Sequence, residues 1–489
     1  MAQSPLNAPS HTGPLELEDI QGILLDPYDS LPAACYLLLQ ITDAAAARRW
    51  LQGLPLTSSM GHRTAPAAPA LNAAFTWPGL KALRERDDPL LFPAREFREG
   101  MVTSHRSRVL GDLELSAPES WRWRGDEASA SSDVVHLALL AYAADGEALE
   151  TLVNGTLSVA GAEGVRLIER IDAVELLGSK EHFGFRDGIG QPLVEGDSEG
   201  KAGDQVIAAG EFILGYRNGF GGFGLSPAIA EIEAGAGEFG PSHFDAGARD
   251  IGRNGSYMVF RQLAQDVQAF WKFANKAVEP DSPGAPDAPV ALAAKMVGRW
   301  PSGASLVLHP ERDPGVLPDS DTFSYAESDA EGYRVPLGSH ARRANPRDAL
   351  VPSVKVSKRV VGHHRILRRA RSYGPPVTSS MDPAAITAAA PDGVERGLNF
   401  ICFNADIGRQ FQFVQHAWLN SAKFTTLYED ASPLLGDREP NNKGVLFTVQ
   451  GAPVRRRYPG IEQFVHVRGG AYFFLPGIRA FRFLAGETP

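Results

Sequence analysis

The chain of 489 residues has few cysteines, no excess of positive charge and no long apolar run. Its two cysteines, Cys35 and Cys402, lie in apolar, strand-like stretches, so no disulfide framework is expected. A formal net charge of -10 argues against nucleic acid as a partner, because phosphate binding needs a concentrated basic surface. Nothing in the composition calls for a membrane span or a membrane partner.

Familiar targeting and catalytic motifs are missing as well. The N-terminal stretch "MAQSPLNAPSHTGPLELEDIQG" lacks the basic and apolar regions of a secretory signal, which predicts a cytoplasmic protein and leaves unconventional export open. The chain contains no HExxH or CxxC pattern, no Walker loop and no serine nucleophile elbow. Zinc enzymes, serine hydrolases and nucleotide-binding enzymes are therefore disfavoured.

The hydrophobic pattern predicts an α+β protein with two similar halves. Four segments place a short β-branched or aromatic run before an amphipathic stretch of helical spacing, and they come as two successive pairs. Each pair suggests an antiparallel sheet covered by helices, and a glycine-rich tract beginning "GYRNGFGGFG" separates the pairs. We predict a flexible tail over 1–15, a first half over 16–208 and a second half over 209–489.

One loop sets a single acid between glycines. The stretch "EHFGFRDGIGQP" runs from Glu181 to Pro192 and carries Asp187 between Gly184 and Gly188. In an ordinary loop an Asp before a Gly forms a turn, since its carboxylate bonds to the backbone and the glycine accepts a positive φ. A catalytic role for Asp187 has to be weighed against that interpretation.

Histidines and arginines gather in the second half. Most of the twelve histidines lack acidic neighbours at metal-ligand spacing, which leaves His309, His340 and the pair His363 and His364 as candidates. His340 precedes a run of arginines in "SHARRANPRD". Those arginines suit either a ligand that carries carboxylates or a solvated surface.

Several segments, in the same order along the chain, resemble the dye-decolorizing peroxidase family. "GFRDG" fits the family's GxxDG motif, "SHARRANPRD" resembles the segment with the proximal haem histidine, and "HRILRRARSYG" resembles the distal arginine segment. "GLNFICFNADIGRQFQFVQHAWLNSAKF" is similar to the last strand and helix, and "LEDIQGILL" looks like the opening strand. The resemblance spans almost the whole chain and favours the longer bacterial and fungal-like members.

The resemblance implies a fold, a cofactor and substrates. The fold would be two ferredoxin-like halves, the first carrying the GxxDG loop and the second carrying the proximal ligand, with one haem b between them, mainly in the second half. Hydrogen peroxide would be reduced, and dyes, phenolics or other one-electron donors would be oxidised. The resemblance says nothing of the physiological donor, and an oligomer remains open.

Three residue roles at the iron follow from the same resemblance. His340 would be the axial ligand of the haem iron, and Asp187 would be the distal acid and base. Arg368, preferred over Arg369 by its register in the motif, would stabilise developing charge. Because a carboxylate is a weaker base than an imidazole, an aspartate in this role predicts an acidic optimum.

Further residues are expected around the cofactor. Arg342 and Arg347 would pair with the haem propionates or lie on the surface, and Gly184 and Gly188 would let the loop turn beside the flat cofactor. Asp406 would either accept a hydrogen bond from the axial histidine or cap the following helix.

Two other functions remain as alternatives to a peroxidase. One is a haem-binding or haem-handling protein with incidental peroxidase activity, and the other is a sheet-based binding module without iron. Loss of peroxide turnover when Asp187 is replaced would favour an enzyme over a haem-handling protein. Absence of a haem absorption band would favour a binding module without iron.

Overall fold

The structure of the chain is a computed structural model that describes residues 13–88, 90–91, 93–126, 133–158, 164–197, 205–279, 287–316, 321–436 and 445–487. Of the tail predicted over 1–15, residues 1–12 lie outside this described part. No helix within these ranges is long and apolar enough to cross a membrane.

Strands occur throughout the described chain. They are β1 Ala33–Ile41, β2 Ala70–Phe75, β3 Trp123–Arg124, β4 Leu137–Ala143, β5 Val165–Ala173, β6 Leu193–Val194, β7 Val206–Ile207, β8 Ala228–Ala230, β9 Ala248–Asp250, β10 Ser256–Gln265, β11 Leu367–Arg368, β12 Arg371–Tyr373, β13 Gly397–Asn404, β14 Val445–Val449, β15 Arg456–Ile461 and β16 Val465–Leu475.

Most of the long strands belong to one 10-stranded sheet with the order β11-β13-β10-β16-β2-β4-β1-β5, to which β12 and β3 are added at the side. The first group pairs as β2-β4-β1-β5 and the second as β11-β13-β10-β16, so the strands of each group follow the same relative order. All pairings along this path are antiparallel. A single pair of residues, Phe474 and Phe75, joins the groups through β16 and β2.

Helices cover the sheet and fill the connections. They are α1 Ala44–Gln52, α2 Ser59–Thr64, α3 Trp77–Arg84, α4 Arg95–Glu99, α5 Ser104–Leu110, α6 Gly146–Ser158, α7 Val267–Val278, α8 Ala288–Val297, α9 Tyr325–Ser328, α10 His340–Ala344, α11 Val354–His363, α12 Pro383–Ala388 and α13 Ile478–Leu484. After β13 the chain forms two π-helical segments, Gly408–Gln412 and Val414–Asn420.

The predicted units of strand followed by helix are present, which confirms the α+β class. In the first unit, Asp43 lies two residues after the end of β1, and its side chain accepts a hydrogen bond from the Ala46 N–H and caps the start of α1. In the third unit, Asp266 follows β10 and caps α7 in the same way through the Ala269 N–H. The bounds of the two halves stay a prediction.

Alternation along the strands separates two cores. Leu37 of β1 and Val259 of β10 point to the larger core, which the helices cover, whereas Leu38 and Phe260 point to the smaller core on the other face. The candidate site lies on the face of the larger core.

The segment "LEDIQGILL" differs from its expected form. Instead of an opening strand, the structure has a short 3-10 helix at Gly22–Leu24. The Gln21 side chain explains the difference, because its amide donates to the carbonyl oxygens of Ala73 and Pro476 and accepts from the Ala73 N–H. Ile20 and Leu24 are fully buried in the smaller core. The segment therefore packs against that face of the sheet and does not extend the sheet.

Candidate active site

A cavity of about 300 Å³ lies on the sheet face formed by β10, β13 and β16. Because side chains alternate along strands, alternate residues at one end of each of these strands face it. The opposite side comes from α10 and the π-helical segments, and the loop that contains Asp187 closes one end. The apolar walls include Leu263, Leu398, Phe400, Val465, Val467, Phe411, Val414 and Leu419.

His340 begins α10 and lines this cavity. Its Nδ1 lies 3.2 Å from the Ser432 hydroxyl oxygen, while Nε2 makes no hydrogen bond to any residue within the described ranges. Burial, with a smaller contribution from the Arg368 guanidinium, lowers the pKa of His340 to about 4. The imidazole is therefore neutral near neutral pH and has one nitrogen available to a ligand.

Asp187 lies in the wall of the same cavity. Its Oδ1 accepts a hydrogen bond from the Gly188 N–H at 2.7 Å and from Arg368 Nη1 at 3.2 Å. Gly184 and Gly188 have φ angles of 93° and 79°, in the left-handed region that favours glycine. The turn chemistry of this loop therefore aims the carboxylate at Arg368.

Arg368 and Arg369 point to opposite faces of β11. Arg368 lines the cavity, and its Nη2 donates to the Ile189 carbonyl at 3.0 Å. Arg369 donates to the carbonyls of Ile23 and Leu24 beneath the smaller core, at 2.8 and 3.0 Å. The structure thus brings Arg368, and not Arg369, to Asp187.

The two arginines expected at the propionates have different surroundings. Arg347 lines the cavity, donates to Asp321 at 2.7 Å and lies over the Phe323 ring. Arg342 is buried outside the cavity lining, where it donates to Asp329 at 3.0 Å and to the Val335 carbonyl at 2.7 Å. The structure does not bring Arg342 to the site, since these partners already satisfy its guanidinium.

Asp406 is also absent from the cavity lining. Its Oδ1 accepts from the Arg409 N–H at 2.8 Å at the start of the π-helical segment, and its carboxylate forms an ion pair with the Arg409 side chain at 3.5 Å. The structure therefore places Asp406 in its alternative role, as a cap. The hydroxyl of Ser432 occupies the position beside His340 Nδ1 that Asp406 was expected to fill.

The remaining candidate histidines lie elsewhere. The His309 carbonyl accepts a hydrogen bond from the Trp300 indole, and its ring does not reach the cavity lining. His363 forms a close pair with Glu211, 3.1 Å from Nδ1, and His364 stacks on Phe413.

Among the cationic residues of the cavity that were not expected from the sequence, Arg299 and Arg365 lie near Asp321. Arg299 donates to both oxygens of Asp321, at 2.7 and 2.9 Å, so Asp321 holds Arg299 and Arg347 together. Burial alone would raise the pKa of Asp321, but the hydrogen bonds and charges of these two arginines lower it. Arg365 is the second, and burial lowers its pKa to about 9.

Arg365 is held by neutral groups. Its guanidinium donates to the Gly190 carbonyl at 2.7 Å and to the Gln205 amide oxygen at 3.2 Å. Three guanidinium groups of the cavity, those of Arg299, Arg347 and Arg365, therefore lie around the Asp321 carboxylate. Nothing in the local sequence distinguished Arg299 or Arg365 from surface arginines, because their partners come from distant segments.

A buried ion pair and a second acid complete the polar lining. Arg261 of β10 and Asp112 form an ion pair in which both side chains are nearly inaccessible to solvent. Glu181 lies at the start of the Asp187 loop, and burial raises its pKa to about 7.

A groove of about 820 Å³ adjoins the cavity. The two share a wall that includes Glu181, Asp187 and Arg368. The Asp187 carboxylate therefore lies in the wall between the cavity and a larger groove whose lining is more polar.

Both the sequence and the structure of the chain are similar to those of known proteins. No family model matches the chain. The chain is 30% identical to a dye-decolorizing peroxidase of Mycena epipterygia, covering 82% of this chain and 71% of that protein, and 29% identical to dye-decolorizing peroxidase msp1 of Mycetinis scorodonius, covering 98% and 90%. An ancestral D-type dye-decolorizing peroxidase superposes with a TM-score of 0.76 at 25% identity, covering 96% of this chain and 99% of that structure.

Proposed function

Because the chain belongs to the dye-decolorizing peroxidase family, we propose that its peroxidase centre is the cavity lined by Asp187, Arg368 and His340. The substrates are hydrogen peroxide and organic one-electron donors such as dyes or phenolics. One observation carries the proposal: Asp187 and Arg368 form a 3.2 Å ion pair in the wall of the cavity that His340 also lines.

The chemistry of the cavity fits a haem b. The neutral His340 ring has an Nε2 atom without a hydrogen bond to any described residue, as an axial iron ligand requires. Within the described residues no cluster of three or more His, Cys, Asp or Glu side chains suits a bare metal ion, so an iron here depends on a macrocycle. The apolar side chains of Leu398, Phe400 and Phe411 suit a flat apolar ring.

The arginines of the cavity suit the two propionates. Arg299, Arg347 and Arg365 bring three positive charges to one end, and Asp321 supplies one negative charge. Buried carboxylates need cationic hydrogen-bond donors, which these side chains provide. Arg347 therefore keeps its expected role, and Arg299 and Arg365 replace Arg342 in it.

Bound haem would supply the iron chemistry that gives two electrons to peroxide and regains them one at a time from the organic donors. Asp187 handles the proton. Its Oδ1 is engaged by Gly188 and Arg368, while Oδ2 accepts no hydrogen bond from any described residue. Oδ2 takes a proton from one peroxide oxygen and delivers it to the other, which leaves as water.

Arg368 acts beside that proton transfer. Its Nη1 donates to Asp187 and its Nη2 donates to the Ile189 carbonyl, so the guanidinium is held beside the Asp187 carboxylate in the cavity wall. A fixed cation stabilises the negative charge that develops while the O–O bond breaks, without reorganisation during the step.

Replacing the two distal residues tests the proposal. Asp187→Asn and Arg368→Leu are each expected to slow the reaction with hydrogen peroxide by about 10²-fold or more, because a general base or a charge stabiliser is lost. Stopped-flow absorption at the haem band measures the rate. Asp172→Asn, on an exposed Asp of β5, is the matched control and should react as the parent protein does.

The axial ligand needs a separate experiment. His340→Ala is expected to lose haem or its normal absorption spectrum, whereas His309→Ala keeps both, because His309 does not line the cavity. Unchanged peroxide rates in both distal variants would reject the catalytic assignment and favour a haem-handling protein. Purified protein without a haem band would reject haem altogether.

A further inference from the structure

Glu181 occupies a special place in the loop that carries Asp187. Its carboxylate accepts hydrogen bonds from the backbone N–H groups of Phe183, on Oε2 at 2.9 Å, and Phe185, on Oε1 at 3.0 Å. Gln265, at the end of β10, donates its side-chain amide to Oε2 at 2.6 Å. One side chain therefore holds both the turn of the loop and the edge of the sheet.

The backbone of the same turn is tied at its base. The Glu181 N–H donates to the Phe185 carbonyl at 2.9 Å, and the Gly184 N–H donates to the Glu181 carbonyl at 2.8 Å. The Asp187 N–H donates to the Ser179 carbonyl at 3.1 Å, so the loop folds back on itself just before the distal acid. Any shift at residues 183–185 is passed to Asp187, two residues further on.

Two aromatic anchors fix the loop from below. Phe183 packs on Phe270 of α7 with ring centroids 4.5 Å apart, and Phe185 stacks parallel to Trp271 at 6.3 Å. These contacts hold the ring side chains but leave the backbone N–H groups of both residues to be satisfied. The Glu181 carboxylate accepts hydrogen bonds from both groups in a partly buried space, where an unpaired N–H is costly.

The position of Gln265 is fixed by its backbone pairing in the sheet. Its backbone N–H donates to the Arg396 carbonyl at 2.8 Å, and it pairs with Val465 of β16 in the sheet. Glu181 and Gln265 also line the cavity themselves. The contact between their side chains therefore connects the loop that carries Asp187 to the strands that line the cavity.

We propose that Glu181 is a positioning residue for Asp187. Through its hydrogen bond with Gln265 it holds the loop that carries Asp187 in a fixed position relative to the strands that line the cavity. The inference rests on the proposed role of Asp187 and adds a group that acts through it. A displacement of the reacting group by about 1 Å can lower a rate by about 10²-fold, so the support of the loop matters for catalysis.

Three variants of the holoenzyme test this role. Glu181→Ala removes all three hydrogen bonds, Glu181→Gln keeps a neutral side chain of the same size with one acceptor oxygen, and Gln265→Leu breaks only the link to the sheet. Glu175→Gln, an exposed acid shortly before the loop, is the matched control. Each is examined by haem absorption, by stopped flow with peroxide and by hydrogen exchange of the amides over 179–191.

The expected pattern separates positioning from general stability. Glu181→Ala should slow the peroxide reaction by about 10–10²-fold and speed amide exchange over 179–191 by about 10-fold or more. Its haem absorption and its KM for the organic donor should stay unchanged. Glu181→Gln should recover part of the rate, Gln265→Leu should show the same defects in weaker form, and Glu175→Gln should show none.

Other outcomes overturn the inference. If Glu181→Ala shows unchanged amide exchange over 179–191 and an unchanged peroxide rate, Glu181 has no positioning role. A slow Asp187→Asn variant would in that case still support the proposed role of Asp187 as the acid and base. If Asp187→Asn is itself unaffected, the proposed function fails first. If Glu181→Ala does not fold, Glu181→Gln and Gln265→Leu decide, and parental rates and exchange in both reject the role.

Discussion

The two nitrogen atoms of His340 face different surroundings. Nδ1 lies 3.2 Å from the hydroxyl of fully buried Ser432, and that hydroxyl also accepts the Leu435 N–H at 3.4 Å. With the proton on Nδ1, the imidazole donates to Ser432 and presents Nε2 to the cavity. A hydroxyl pulls less on that proton than a carboxylate does, so Ser432 orients the ring without making it strongly anionic.

Ser432→Ala is expected to weaken haem retention by about 10-fold or more, because the ring of His340 loses the partner that fixes its orientation. The rate of haem transfer to an apoglobin acceptor measures retention. Asp406→Asn is the control, since the Asp406 carboxylate caps a π-helical segment and lies outside the cavity lining. Faster loss from Asp406→Asn than from Ser432→Ala would contradict this assignment.

At the scale of elements, a tight loop and a two-residue strand bring the distal pair together. The loop turns at Gly184 and Gly188, and β11 exposes Arg368 on the cavity face by pairing with Cys402 of β13. Gln191 adds a link, since its side-chain oxygen accepts the Arg368 N–H at 3.1 Å. The ion pair therefore depends on backbone geometry at both of its ends.

Gly188→Ala tests the backbone contribution. A Cβ at Gly188 would meet no atom within 4 Å, so the cost comes from its φ of 79° and not from crowding. The free energy of unfolding is expected to fall by about 1 kcal/mol, and the peroxide rate should fall as the loop relaxes. Denaturant unfolding and stopped flow measure the two effects.

The control for this change is Gly155→Ala in α6, where a Cβ also meets no atom within 4 Å and no left-handed φ applies. Ala is the better helix former, so stability there should rise by up to about 1 kcal/mol. If Gly188→Ala were as stable as the parent protein, the turn would not need its left-handed residue.

Elements with a local signal were predictable from the sequence. The start of α1 just after β1 follows from the hydrophobic pattern and from the two cap-forming residues Thr42 and Asp43, of which Asp43 is the cap. Arg368 was chosen over Arg369 by register in the family motif, and side-chain alternation at β11 explains why the two point apart. After β13 a regular helix was expected, but the chain forms π-helical segments that put Phe411 and Val414 into the cavity wall.

Residues whose role depends on distant partners were not predictable. Arg299 and Arg365 become site residues because folding brings them to Asp321 and Gly190, which no local pattern encodes. The sequence left both roles of Asp406 open, and the structure shows the capping contact, which reaches only three residues along the chain and needs no tertiary contact. The family resemblance therefore predicts that Asp187 and Arg368 lie together better than it predicts the other polar side chains of the cavity.

At the scale of the whole molecule, the two groups of strands are closely connected. Beyond the Phe474 and Phe75 pairing, the indole of Trp123 in β3, the strand before β4 in the chain, donates to the Gln262 side chain of β10 at 2.9 Å. The larger core contains side chains from both groups and continues between them. We therefore expect both groups to unfold in one cooperative step.

Phe481→Ala tests this cooperativity, because Phe481 of α13 is buried and stacks on Phe75 of β2 with ring centroids 5.7 Å apart. Loss of the ring should lower the free energy of unfolding by about 3–5 kcal/mol. Hydrogen exchange should show the same loss at amides of β1 and of β10, since opening either strand group exposes the shared core. Phe244→Ala, at a half-exposed phenylalanine, should change stability by less than about 0.5 kcal/mol. A loss confined to β10 and its neighbours would instead mean that the two groups of strands unfold independently.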